Sequence, residues 1–155
     1  MDDTVSWLDK FARRHDNASS PGVFWISLLI LLFGVTGLLW SLPIPAEFPG
    51  ISPLLNWGSA FLMVSLVYYC IISVSLGIGM VPFVWAIGAL QYWLAGQAVP
   101  LGSVSSALIG TGVTGLTLGH YGAGGLRAVV GDVQLVMIAP VWLLSKLYRR
   151  LGIPL

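Results

Sequence analysis

The residues able to do chemistry stand in two clusters near opposite ends of the 155-residue chain. The first is Arg13-Arg14-His15-Asp16-Asn17; the second holds His120, Arg127 and Asp132. Between them, from Val23 to Leu118, the one charged side chain is Glu47. His120 stands where a long apolar stretch stops, and an ionisable group at a membrane boundary is costly unless it is used or solvated. With two histidines in the chain and no acid near a candidate serine, neither a serine–histidine–acid triad nor a pair of catalytic carboxylates is supported. A site exists if the two clusters meet at one side of a bilayer. The plainer readings are a solvated His15 favoured by a helix dipole, and an Asp132–Arg127 ion pair in the headgroup zone.

The elements that would position these residues are those of a membrane protein. Hydrophobic residues make up 57% of the chain and charged residues 8%, against about a quarter charged in soluble domains; mean hydropathy is +0.90. The formal net charge of +1 gives no electrostatic footprint for nucleic acid. Cys70, the one cysteine, cannot form an internal disulfide. Asp2 and Asp3 open the chain, and no cleavage-like site follows a short apolar core, so the start does not read as a signal peptide.

Thr4 to Arg14 reads as an amphipathic helix with Trp7, Leu8, Phe11 and Ala12 on one stripe, lying on the membrane surface. Val23–Leu42 is the first expected span, about 20 residues and about 30 Å of helix. Pro43, Pro45, Pro49 and Pro53 make a stiff loop. The second span is expected from Leu54 to Leu76, with Asn56 and Trp57 near one interface and Tyr68-Tyr69 as packing residues. Gly77 to Pro82 reads as a tight return, Phe83 to Ala95 as a third, shorter span, and Gly96 to Pro100 as another turn. No strongly polar residue is expected at mid-membrane depth, which argues against a transporter. The fourth span, Ser103 to Gly119, carries small residues at Ser106, Gly110, Gly115 and Gly119, the last two a GxxxG pair, which allow close helix approach. Gly110-Thr111-Gly112-Val113-Thr114-Gly115 also matches GxGxxG, but no strand precedes it and no acidic partner follows, so it is no dinucleotide loop. The apolar run Leu135–Leu144 is about 15 Å of helix, half of what a crossing needs. With Pro140 inside it, this run reads as re-entrant or interfacial.

The expected fold is therefore all-α: a polytopic membrane bundle of four spans (23–120), an N-terminal interfacial helix and loop (1–22), and a C-terminal re-entrant or interfacial helix with a basic tail (121–155), one domain overall. An even count puts all seven Lys/Arg on one side, as the positive-inside rule prefers, with both termini cytoplasmic. It also returns His120 to the side holding His15. Trp142, Tyr148 and the terminal arginines read as an interfacial belt.

Three stretches resemble the family of fungal 2-hydroxy fatty acid dioxygenases and their bacterial relatives. They are Ala12-Arg13-Arg14-His15 with Trp25-Ile26; Leu54-Leu55-Asn56-Trp57 leading to Tyr68-Tyr69; and Gly119-His120 with Asp132-Val133-Gln134-Leu135, Ile138-Ala139-Pro140-Val141-Trp142-Leu143-Leu144 and Leu147-Tyr148-Arg149-Arg150-Leu151-Gly152. The resemblance implies a membrane-embedded enzyme that uses Fe(II) and oxygen to shorten a 2-hydroxy fatty acid by one carbon, here in a bacterial inner membrane. It implies His15 and His120 as metal ligands; with Asp132 as the candidate carboxylate these make the catalytic set. Asp16 is the other candidate, although its neighbour His15 points about 100° away on a continuing helix. Oxygen-activating Fe(II) takes two imidazoles and a carboxylate on one face. Asp132 would join only if the chain folds back at Gly122–Gly125, since a continuous helix would hold it about 18 Å from His120. Arg13, Arg14 or Arg127 would hold the substrate carboxylate by charge-assisted hydrogen bonds. The family pattern has asparagine, histidine and glutamate where this chain has Ser20, Phe24 and Gly124. Those substitutions favour the alternative, a non-catalytic bundle that binds membrane lipid or a partner.

Overall fold

The structure, a computed structural model, describes residues 21–119 together with 140, 141, 143–145, 147, 148, 150 and 152. It comprises helices α1 (Pro21–Ser41), α2 (Glu47–Ile51), α3 (Trp57–Ile72), α4 (Val74–Ala95) and α5 (Leu101–Gly119). Every described position from 140 to 150 is also helical, and the described residues contain no strand. The surface helix expected over Thr4–Arg14 and the bend expected at Gly122–Gly125 lie outside the described residues.

Apolar residues fall on every side of α1 and α4, so neither helix has a polar stripe. Two buried hydroxyls are satisfied within their own helices: Thr36 donates to the Leu32 carbonyl at 2.7 Å and Ser65 to the Phe61 carbonyl at 2.8 Å. After α1, Pro43 and Pro45 cannot continue a helix. The loop that follows is not structureless, because α2 forms within it. Trp57 Nε1 pins this loop by donating to the Pro43 carbonyl at 3.0 Å, and its ring packs 5.3 Å from that of Phe48. Asn56 then starts α3 with a reciprocal cap. Its side chain accepts from the Ser59 N–H and the Ser59 hydroxyl accepts from the Asn56 N–H, both at 2.9 Å.

The turn between the second and third long helices differs from the expected one. Gly77 to Pro82 is not a return; it lies inside α4, which runs unbroken with Pro82 in its interior. The second helix correspondingly ends at Ile72, short of the expected Leu76, and the third is not short. The reversal is made by Ser73 alone, in extended conformation at φ −160° and ψ 127°. Its N–H closes α3 on the Tyr69 carbonyl at 3.0 Å, and its hydroxyl accepts from Leu76 N–H to open α4. Gly77 serves packing: a Cβ there would lie 2.9 Å from Cys70 Cα, so the two helices touch backbone to backbone beside the turn.

α1 is the central helix. It packs most extensively on α5 and also meets α3 and α4, while α3 and α4 form their own hairpin. The α1–α5 seam is antiparallel, with Ser41 against Gly102, Gly37 against Ser105, Gly34 against Ile109, Leu31 against Gly112 and Ser27 against Gly115. Each pair contains a glycine, opposite a serine in three pairs and a larger residue in two, and small residues of this kind let helix backbones approach closely. Of the small residues expected to make this seam, Gly115 does so. Gly110 faces open space and Ser106 is exposed, because the contact face runs through Ser105 and Gly112 instead.

Val74–Ala95 and Leu101–Leu118 are long and apolar enough to cross a membrane, and Trp25–Ser41 and Trp57–Ile72 are shorter apolar helices. Large apolar side chains point outward, among them Ile71 and Trp85, while Ser27, Thr36, Ser65, Gln91 and Ser105 are buried. The most polar of these buried side chains is Gln91, one turn from the end of α4. It is fully buried, and its amide nitrogen reaches the Phe33 carbonyl of α1 at 2.9 Å.

Candidate functional site

The residues first singled out for chemistry, His15, His120, Asp132, Arg13, Arg14 and Arg127, lie outside the described residues. The framework that carries two of them is described. Because Ser27 faces Gly115 in an antiparallel pair, the first residue of α1 and the last of α5 stand at the same end of the bundle. His15 precedes α1 by six residues and His120 follows Gly119 directly. Both histidine-bearing segments are thus joined to the bundle at one end.

At that end, the first half of α1, the first half of α4 and the described helical residues between 140 and 150 enclose a groove of about 470 Å³. Trp25, Leu28, Met80, Phe83, Leu143 and Leu144 form much of its wall. Beneath it Val141, wholly buried, packs with Tyr69, Leu76 and Met80, which with Leu144 and Tyr148 docks the described C-terminal residues on the α3–α4 hairpin. Tyr69, expected as a packing or interface residue, is buried in this cluster. Gly79 lets the C-terminal residues close on α4: a Cβ there would come within 2.8 Å of Leu144 Cδ2 and would collide with the Tyr148 hydroxyl. Leu29, Leu143 and Leu147 are 43%, 48% and 50% exposed and form an apolar rim. Arg150 is the one charged residue among the described lining residues. The volume falls within the roughly 300–1,000 Å³ usual for small-molecule sites, and an apolar wall with a single guanidinium suits an acyl chain ending in an acid.

Sequence reasoning placed Arg150 in an interfacial belt and missed the groove. The available signal was a basic pair closing an apolar run; its neighbours Trp25 and Met80 are too distant in sequence to be associated with it. At the other end of the bundle Trp40, Pro43, Asn56, Tyr92, Trp93 and Gln97 line a second cavity of about 680 Å³. No charged residue lines it among those described.

Among the described residues no group of three His, Cys, Asp or Glu side chains could hold a metal ion. Glu47 and Cys70 are the only such side chains there, on different elements. The imidazoles and carboxylate that iron would take belong to His15, His120 and Asp132, outside the described residues. No family model, curated protein or solved structure matches the chain.

Proposed function

We propose that the chain is an integral membrane protein of four spans that takes a long-chain 2-hydroxy acid into the groove beside α1. The acyl chain lies along Trp25, Leu28, Met80, Phe83 and Leu143, and the Arg150 guanidinium holds the carboxylate by charge-assisted hydrogen bonds. The observation that carries this reading is the coincidence of an apolar groove, one cationic side chain and the two histidine-bearing segments at one end of the bundle. Four alternating helices with outward apolar side chains support the membrane setting. The basic residues support cytoplasmic termini.

The resemblance to 2-hydroxy fatty acid dioxygenases supplies the reaction. Fe(II) at His15 and His120 would provide the oxygen chemistry. The chain's own part is to bury the alkyl tail, fix the acid head at the end of α1 and keep bulk water from the groove. The second reading, a lipid-binding protein without chemistry, draws on Phe24 and Gly124, which stand where the family carries polar groups. It keeps the same groove and the same Arg150 contact.

The discriminating experiment is purification under anaerobic conditions with Fe(II), followed by an assay of 2-hydroxypalmitate loss on addition of oxygen. About one iron per chain, turnover, and loss of both in His120→Ala are the results expected of the enzyme. Acid binding with neither iron nor turnover selects the second reading. Failure to bind the acid at all overturns both.

A further inference from the structure

The cavity of about 680 Å³ lies at the end of the bundle away from the histidine-bearing segments. Trp40 lines it from the last turn of α1, Tyr92 and Trp93 line it from the last turn of α4, and Gln97 follows just beyond. Two helix C-termini therefore open on one space. The last carbonyls of a helix have no partner within it and carry the negative end of its dipole, roughly half a charge at each terminus. Pro43 adds to this at α1, because it has no N–H to close on the Trp40 carbonyl three residues back.

Among the described residues, charge at this end has one sign. Glu47, the one charged residue between Val23 and Leu118, stands in the loop that supplies Pro43 and Pro53 to the wall. An anion would face two negative helix ends and a nearby carboxylate, with no base among the described lining residues. The Asn56 amide offers it little, since its nitrogen donates to the Leu54 carbonyl at 3.3 Å and its oxygen accepts from Ser59 N–H at 2.9 Å. A bare metal ion would ask for several oxygen ligands, carboxylates among them, which this lining does not supply. What the lining does supply is three large aromatic rings, and those of Tyr92 and Trp93 are more than half exposed. An ammonium group near such rings is attracted by their quadrupoles, tryptophan's most of all.

We propose that this cavity binds the ammonium group of an organic cation, a choline- or ethanolamine-like head, among Trp40, Tyr92 and Trp93 and against the C-terminal ends of α1 and α4. A zwitterionic lipid presents such a group at a membrane face, and a small solute brings it from solution. Binding here is independent of the groove and of any reaction there.

The test uses the full chain with ¹⁵N-labelled tryptophan in uncharged maltoside micelles. Trp40→Phe and Trp93→Phe assign two of the seven indole signals. Free choline is titrated beside its neutral isostere, in which carbon replaces the nitrogen. Saturable movement of both signals is expected, with choline bound several-fold more tightly than the isostere. Trp93→Ala, read at the Trp40 signal, is expected to weaken choline by about two- to fivefold, as loss of an exposed cation–π contact does. Trp85→Ala, on an outward position of the same helix, is expected to change nothing. Adding phosphatidylcholine or phosphatidylglycerol to the micelles separates the sources: movement with the first alone assigns a lipid head, and movement with free choline alone assigns a solute. Equal binding of choline and its isostere overturns the proposal. So does equal movement with the two lipids, or no movement with either choline or phosphatidylcholine.

Discussion

Gly112→Leu is expected to prevent assembly of the bundle, whereas Gly110→Leu, two residues away on the same helix, is expected to leave it intact. At Gly112 a Cβ would lie 3.0 Å from both Leu31 Cα and Leu31 N. Those are backbone atoms of the central helix and cannot rotate aside as a side-chain tip can. The only relief is separation of α1 from α5 along the seam that holds most of α1's packing. Overpacking of an ordinary core costs about 1–3 kcal/mol; displacing two helices along their length exceeds that. At Gly110 nothing lies within 4 Å, so leucine enters open space. Thermal unfolding of the detergent-solubilised variants checks the pair. A midpoint lowered equally by both substitutions would mean that α5 presents a different face to α1.

Arg150→Ala is expected to weaken binding of 2-hydroxypalmitate by about tenfold and to leave binding of the neutral alcohol of the same chain length unchanged. A hydrogen bond to a charged group contributes about 1.5–3 kcal/mol. Arg150 is exposed, so solvent screening places the effect at the low end, and 1.4 kcal/mol is about a factor of ten. Filling the groove with Leu143→Trp is expected to weaken acid and alcohol alike, because it removes space rather than charge. Titration of both ligands against the three forms of the protein separates the contributions of head and tail.

Hydropathy made the long helices legible. Residues 23–42 and 103–119 were expected, and Pro21–Ser41 and Leu101–Gly119 are observed; a run of apolar residues without charge has few alternatives to a buried or lipid-facing helix. The turn was misread because two glycines and a proline outweigh one serine in local propensity. Ser73 nevertheless satisfies both helix ends, and Pro82 gives up one hydrogen bond within a helix that continues past it. Gln91 was passed over because it sits one turn from the end of α4, where glutamine is ordinary; its inward contact with Phe33 depends on α4 packing against α1, which no local pattern encodes. The groove was illegible for a related reason. Trp25, Met80 and Leu143 belong to three segments brought together by Val141 docking on the α3–α4 hairpin, and no local pattern encodes that meeting. The histidines, the clearest chemical signal in the sequence, belong to segments outside the described residues, so the candidate site rests on the groove and on the end of the bundle to which those segments attach.

The groove is most directly tested by photo-cross-linking. A 2-hydroxy fatty acid carrying a diazirine near its methyl end is irradiated with the protein in nanodiscs, and the labelled residues are mapped by mass spectrometry. Labels concentrated on residues 25–29, 79–83 and 143–147, and reduced in Arg150→Ala, are the predicted result. Labels spread over the outward faces at Val64, Ile71 and Trp85, with no enrichment beside α1, would contradict it.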